Sequence, residues 1–228
     1  MTGFPRNIPK MEQDKDRTTL ILVRHGETEW NLAGRIQGHS DSRLTARGAE
    51  QGRRAAERLA GLDISTVYAS DLGRARETGE IIAAPHGLAV TTVQGLRERC
   101  YGAFEGRTAE EIRTDDPGAF ERWLGDRQGL APPGGETQQE LSERVMGALR
   151  GIAGAHPGET VAIATHGGPI KSAVFAVLEI PMGSWDRTWV SNGSVTVLRG
   201  NQCELKVACF NDTSHLDSVV AQGQGVED

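Results

Sequence analysis

Hydrophobic positions along this chain change their period from one stretch to the next. TTLILV (18–23) is a short unbroken apolar run, the pattern of a strand covered on both faces. LTARGAEQGRRAAERLAG (44–61) has a helical period instead, with Ala49, Gly52, Ala56 and Leu59 as its apolar stripe. Thr45 suits the N-cap there and Gly61 the stop. DISTVYAS (63–70) predicts a second strand and DLGRARETGEIIAA (71–84) a second helix. In PPGGETQQELSERVMGALRGIAG, Thr137 and Glu140 have the Thr-x-x-Glu spacing of a capping box, so a helix starts there. TVAIAT (160–165) predicts another buried strand, followed by a helix to about Val177. SVTVLRGNQCELKVACF (194–210) reads as two runs about a turn, a hairpin.

Strands alternating with helices predict an α/β fold, a three-layer α/β/α sandwich around a mostly parallel sheet. Internal repeats and low-complexity linkers are absent, so the expectation is one domain over 18–217. A polar, mobile N-terminal tail (1–17) and a C-terminal tail (218–228) would flank it.

Ligand sites of open α/β sheets gather at the carboxyl ends of the strands. Three predicted strands end in reactive residues: Arg24-His25-Gly26, then Ser70-Asp71 with Arg74 a turn later, then Thr165-His166-Gly167-Gly168. Singly, each reads as structural: a strand-end histidine, a first-turn arginine, a tight turn. Together they put two histidines and two arginines round one crevice. Guanidinium forks suit phosphate oxygens, and the glycines let backbone approach a ligand closely.

Composition narrows the choice. The 228 residues carry a net charge of -6, which argues against general nucleic-acid binding but not against a small basic pocket. The first 17 residues lack the apolar core of a signal peptide, and no run approaches the ~20 apolar residues of a membrane span. The expected setting is soluble and cytoplasmic, without nucleic-acid or membrane partners. There are three cysteines and no C-x-x-C. Cys203 and Cys209, read as lying in one strand, would sit roughly 20 Å apart, too far for a disulfide. Reduced, buried thiols are expected.

Four segments, in this order, resemble the signature blocks of the histidine phosphatase superfamily, the phosphoglycerate mutase-like fold: LVRHGETEWN, SDLGRARET, LRERCYGAFEG (96–106) and ATHGG. The resemblance covers roughly residues 18–215. It implies His25 as nucleophile, Arg24, Arg74 and His166 as the phosphate pocket, Glu98 as proton donor, and no metal or other cofactor. Asn31, Gln37, Gly38, Arg99, Tyr101 and Gly167 match positions that line the pocket in relatives. The implied chemistry suits phosphoryl transfer, in which positioning and electrostatics dominate. Arg24, Arg74 and a protonated His166 would bind the oxygens, His25 would become phosphohistidine, and Glu98 would protonate the leaving alkoxide if burial and phosphate raise its pKa.

Phosphatase and mutase share that intermediate. RIQGHSDSRLT and the second glycine of HGG resemble the phosphatase branch. The segment RTAEEIRTDDPGAFERWLGDRQGLAPPGGE is shorter than the matching insertion of classical mutases and rich in acids, whereas ERCYG is close to the mutase form. The favoured reading is a phosphomonoesterase acting on a small phosphorylated metabolite. A cofactor-dependent phosphoglycerate mutase and a non-catalytic phosphate-binding module remain the alternatives. Cys100 to Arg107 fails the Cys-x5-Arg spacing of a cysteine phosphatase, and no P-loop is present. The natural substrate and the oligomeric state stay open, a homodimer included. Residues 107–133 are candidates for selectivity. FNDTSHLD (210–217) reads either as an element at the pocket mouth or as a frayed terminus.

Overall fold

The computed structural model describes residues 16–126 and 129–216. Residues 1–15 of the expected N-terminal tail, and the C-terminal tail, lie outside them. Six strands form one sheet: β1 (Thr18–Arg24), β2 (Ile64–Ala69), β3 (Val90–Thr92), β4 (Thr160–Thr165), β5 (Val195–Gly200) and β6 (Leu205–Asp212). Their order is β3-β2-β4-β1-β5-β6. The β3-β2-β4-β1 part is parallel, and the β5–β6 hairpin adds antiparallel to β1. Seven helices accompany it: α1 (Glu29–Leu32), α2 (Ala46–Leu59), α3 (Gly73–Ala83), α4 (Ala109–Asp115), α5 (Pro117–Gly125), α6 (Gln138–Ala155) and α7 (Gly167–Val177).

Both faces of the sheet are covered, which is why β1 shows no alternation in sequence. On one face Leu20, Leu22, Val161, Ile163 and Leu198 meet Leu141, Val145 and Leu149 of α6 and Ile170 of α7. On the other, Ile21, Val23, Ala162 and Val197 meet Ala55 and Leu59 of α2 and Ile82 of α3. A smaller core joins Phe104, Ile112, Ala119, Phe120 and Trp123. Most of it lies in the segment after Phe104, for which the sequence predicted no element and where α4 and α5 form. Burial of an aromatic or large aliphatic side chain stabilises by about 1.5–3 kcal/mol, enough to hold so short a helix pair together.

Thr45 caps α2, its hydroxyl accepting from Gly48 N–H, and Thr137 and Glu140 form the capping box of α6. The stripe on α2 differs from the expected one. Gly48, Gln51, Gly52, Ala55, Ala56 and Leu59 are buried, while Ala49 is only half-buried. Gly48 faces the chain after β1, where a Cβ would lie 2.0 Å from the Glu27 carbonyl oxygen. A glycine carries no hydrophobic signal, so this contact was invisible in the pattern. Cys203 also departs from expectation. It sits exposed in the hairpin turn, where Asn201 Oδ1 accepts from the N–H of Cys203 and Glu204. All three cysteines are free. Among the described residues no helix is long and apolar enough to cross a membrane.

The parallel register positions everything that follows. Arg24 lies opposite Thr165, and Ala69 opposite Ala164. The three reactive strand ends therefore emerge side by side.

Glycine-to-alanine changes separate contact from propensity. In a free helix the change stabilises by about 0.5–1 kcal/mol. Gly147 of α6 has open space about its Cβ position, so Gly147→Ala should show that gain in urea denaturation. Gly48→Ala should instead lose about 1–3 kcal/mol, because backbone must move. Equal effects of both changes would refute the close packing of α2 on residues 26–27.

Candidate active site

His25 follows β1 directly and is 2 % exposed. Its Nδ1 lies 2.7 Å from the carbonyl oxygen of Gly26. A carbonyl only accepts, so Nδ1 carries the proton and Nε2 keeps its lone pair. Nε2 in turn accepts from Arg74 Nε at 3.3 Å. The basic nitrogen therefore faces the arginine at the start of α3. His166, fully buried, stands edge-on to His25 with ring centroids 5.1 Å apart. Among the described residues neither of its ring nitrogens has a hydrogen-bond partner. Buried polar atoms without partners are uncommon and mark a place where a ligand completes the bonding.

Arg74 is buried to 1 % exposure. Its Nη1 donates to Ser40 O at 2.8 Å and to Asp41 Oδ1 at 3.1 Å, and its Nη2 to Gly38 O at 2.8 Å. Burial pulls its pKa down, and Glu98 and Asp41 oppose that. Asp41 also accepts from the N–H of Gly73 and Arg74, closing the first turn of α3. Arg24, half-buried, donates through Nη1 to Val190 O.

Both histidines are held neutral by the protein around them. Burial lowers His25 well below the usual 6.5, Arg74 and Arg24 add to the effect, and the bond to Gly26 only partly offsets it. His166 is lowered likewise, first by burial and then by Arg74. Without phosphate, burial and then the neighbouring guanidinium of Arg74 disfavour a positive charge on His166.

Glu98 reaches the same crevice from the segment after β3. Its Oε1 accepts from Arg99 N–H at 2.7 Å and its Oε2 from Gly168 N–H, in the first turn of α7, at 3.1 Å. A Cβ on Gly168 would stand 2.0 Å from Glu98 Oε1, whereas one on Gly167 meets Arg24 only at 3.5 Å.

The remaining candidates sit round this centre with mixed duties. Gln37 is buried and its Oε1 has no partner. Gly38 adopts φ +56° and supplies a carbonyl to Arg74. Asn31 is the capping-box residue of α1, its Oδ1 accepting from Thr28 and from Asn192. Arg99, 2 % exposed, donates to the carbonyls of Glu136 and Leu130 and lies 5.5 Å from the Tyr101 ring. Tyr101 stands edge-on to Trp123.

Three residues the sequence did not flag support the candidate site. Glu105 accepts from the N–H groups of His39, Ser40 and Tyr101 and from the Ser40 hydroxyl. Burial alone would raise its pKa, but these donors outweigh it and keep the carboxyl below its ordinary value. Arg144 of α6 pairs with Glu136 at 2.8 Å and donates to the carbonyls of Gly95, Arg97 and Glu98. Asn192 donates to the His25 carbonyl at 3.1 Å. Each acts across the fold, so no local motif betrays it.

Comparison with known proteins agrees with this geometry. The model of the histidine phosphatase superfamily (branch 1) matches residues 20–213. The chain is 39 % identical to phosphoglycerate mutase-like protein 4 of Arabidopsis thaliana over 212 residues, 90 % of each sequence. It superposes on the YhfR structure of Bacillus stearothermophilus with a TM-score of 0.82 and 36 % identity, over 88 % of this chain and all of the other. A mycobacterial glucosyl-3-phosphoglycerate phosphatase gives a TM-score of 0.75 at 29 % identity, over 86 % of this chain and 100 % of that one.

The depressed histidines have a consequence for stability. Below about pH 6.5 the unfolded chain takes up protons on both rings and the folded chain does not. Stability should therefore fall as pH drops from about 6.5 towards the folded values, by up to about 1.4 kcal/mol per pH unit for each ring. Urea midpoints measured from pH 7.5 to 5 should decline more steeply for the wild type than for a His25→Asn/His166→Asn variant. Parallel curves would show that the rings are not held neutral.

Proposed function

The chain belongs to the histidine phosphatase superfamily, and we propose that it is a metal-independent phosphomonoesterase acting on a small phosphorylated metabolite through phosphohistidine at His25. The observation that carries this reading is the state of the His25 ring: Nδ1–H is tied to Gly26 O, and Nε2 faces Arg74 with its lone pair available. A phosphate entering here would meet Arg24, Arg74 and the unpartnered nitrogens of His166. Its negative charge reverses the electrostatics that keep His166 neutral, so the ring takes up a proton as phosphate binds and becomes a third donor.

In the first step Nε2 attacks phosphorus in line, the Nε2–P bond forms, and the bond to the alcohol oxygen breaks. Arg74 Nε–H moves from Nε2 to a phosphoryl oxygen. Glu98 serves as the general acid that gives a proton to the departing alkoxide. In the second step Glu98 takes a proton from water while the water oxygen attacks phosphorus. The N–P bond breaks, and phosphate leaves with His25 neutral again.

Superfamily relatives are named for phosphatase and for mutase activity, and both would use this intermediate. The α4–α5 region supports the phosphatase. Arg35 grips Glu111 at 2.7 Å, Arg107 pairs with Asp115 at 2.7 Å, and Arg113 with Glu121 at 3.6 Å. A mutase must hold a second anionic group of its phosphoglycerate, and acid-paired arginines are poor hosts for it. Among the described residues no group of three or more His, Cys, Asp or Glu is placed to hold a metal ion. The proposed partner is the metabolite alone, in the cytoplasm.

A screen of phosphorylated metabolites in the presence of EDTA tests the reading. Hydrolysis should survive chelation, and His25→Ala should abolish it in a folded protein. Acid-labile, base-stable phosphate should be trapped on wild-type His25. Glu98→Gln should slow hydrolysis of alkyl phosphates by about 10²–10⁴-fold, with a smaller loss in single-turnover phosphorylation by aryl phosphates, whose leaving groups need little protonation. Turnover by His25→Ala, or activity restored only by added metal, would overturn the mechanism.

A further inference from the structure

The Arg24–His25 dipeptide is gripped from its flank by the loop 190–194. Gly193 N–H is shared between the carbonyls of Arg24 (3.0 Å) and His25 (3.3 Å), and Arg24 N–H donates to Ser194 O at 3.2 Å. Asn192 Nδ2 donates to His25 O at 3.1 Å and to Asn31 Oδ1 at 3.3 Å. On its other side the His25–Gly26 peptide donates through Gly26 N–H to Thr78 Oγ1 at 3.3 Å. The plane of that peptide is thus fixed at both its oxygen and its N–H. The next carbonyl, Gly26 O, holds the ring Nδ1–H, so the direction of Nε2 is set by the same chain of bonds.

The loop is itself held from behind by the segment after β6. Asn211 Oδ1 accepts from Ser191 N–H at 2.8 Å, and His215 Nε2 donates to Gly193 O at 2.9 Å. Asn211 adopts φ +53°, a left-handed conformation that asparagine tolerates better than most residues. Leu216 is 2 % exposed. Gly193, at φ +71°, has no room for a Cβ, which would lie 2.9 Å from Gln51 Cβ and 3.4 Å from Leu216 Cδ1. Asp212 accepts from Ser214 N–H at 2.9 Å and pairs with Arg58 of α2 at 3.5 Å. The segment is docked through 216, and these side-chain contacts run to the loop and α2.

We infer that Asn211 and His215 form a clamp that, through Asn192 and Gly193, orients His25 for attack, and that they are positioning residues for the phosphorylation step. This rests on the phosphatase reading above. It also corrects the frayed terminus considered from sequence, and replaces a role in substrate choice with one in the common chemistry. Misplacing a reacting group by 1 Å can lose on the order of 10²-fold in rate, and losing one clamp bond should give part of that.

Two pairs of variants test it. Asn211→Gly keeps the left-handed backbone but offers Ser191 no acceptor, whereas Asn211→Asp keeps one. His215→Leu removes the donor to Gly193 O, whereas His215→Gln retains an N–H. Asn211→Gly and His215→Leu should slow single-turnover phosphorylation of His25 by roughly tenfold, by the same factor for p-nitrophenyl phosphate and for an alkyl phosphate. KM should change less than twofold, and the Asn211→Asp and His215→Gln variants should recover most of the rate. Amide hydrogen exchange of Arg24 and Gly193 should accelerate in the two loss variants, a readout that needs no turnover and so stands even if the wild type forms no phosphohistidine. A KM rise confined to the larger substrate, an unchanged phosphorylation rate, unchanged exchange, or losses that follow thermal stability without rescue would each overturn the clamp.

Discussion

Everything at the carboxyl edge of this sheet depends on one electrostatic constraint. Two guanidinium groups and two imidazoles converge where Arg74, His25 and His166 are almost fully buried. Buried cations without counter-charge are unfavourable, and the fold eases this in two ways. Both rings stay neutral, and Arg74 is wrapped in the dipoles of Gly38 and Ser40 with Asp41 beside it. What is left is a positive potential directed into the crevice and a pair of imidazole nitrogens on His166 with nothing to bond. A dianion would answer both needs, which is the physical basis of the proposed phosphate site.

The support of that centre is organised as a series of shells reaching inward. Glu105 gathers N–H groups from residues 39, 40 and 101, which ties the loop that feeds carbonyls to Arg74 onto the segment that carries Glu98. Arg144, anchored by Glu136, collects the carbonyls of residues 95, 97 and 98. Loop 190–194 grips Arg24 and His25. These three devices approach from different elements, and each fixes backbone rather than side chain. Backbone is the stiffer support, because a side chain that must pivot in a transition state keeps its rotamer freedom while its base is immobile. Gly26, Gly48 and Gly168 occupy points where the chain comes closer to Gly48, Glu27 and Glu98 than a Cβ allows.

The strands were legible because both sheet faces are covered, so β1 and β4 are apolar runs with abrupt polar ends. Caps at Thr45 and Thr137 were legible because hydroxyl and carboxylate geometry is local in sequence. The reactive strand ends could be listed, but only the β1–β4 register put Arg24 opposite Thr165 and joined them into a pocket. Three things escaped. The helical face of α2 was misplaced by a glycine that packs on backbone. Helices α4 and α5 hide in an acid-rich stretch whose few aromatics, Phe104, Phe120 and Trp123, pack mainly on one another. Glu105, Arg144 and Asn192 act on partners remote in sequence or through backbone, and backbone partners leave no residue-type signature.

The acid pairing of the α4–α5 region bears on which substrates suit this pocket. Arg35, Arg107 and Arg113 pair with Glu111, Asp115 and Glu121, and an arginine already bidentate to a carboxylate, as Arg35 is to Glu111 at 2.7 and 2.8 Å, must break two charge-assisted bonds to recruit a ligand. A substrate with a second strong anion would therefore gain little there, while a neutral polyhydroxyl or heterocyclic alcohol would meet no penalty. In the phosphatase reading, the centre would hold the phosphoryl group through fixed charge, and the acid-paired arginines would offer little to a further charge. That division is what a hydrolase needs. Its first half-reaction requires only that the alcohol leave, and the free alcohol, held by few charged contacts, departs and admits the water that the second half-reaction consumes.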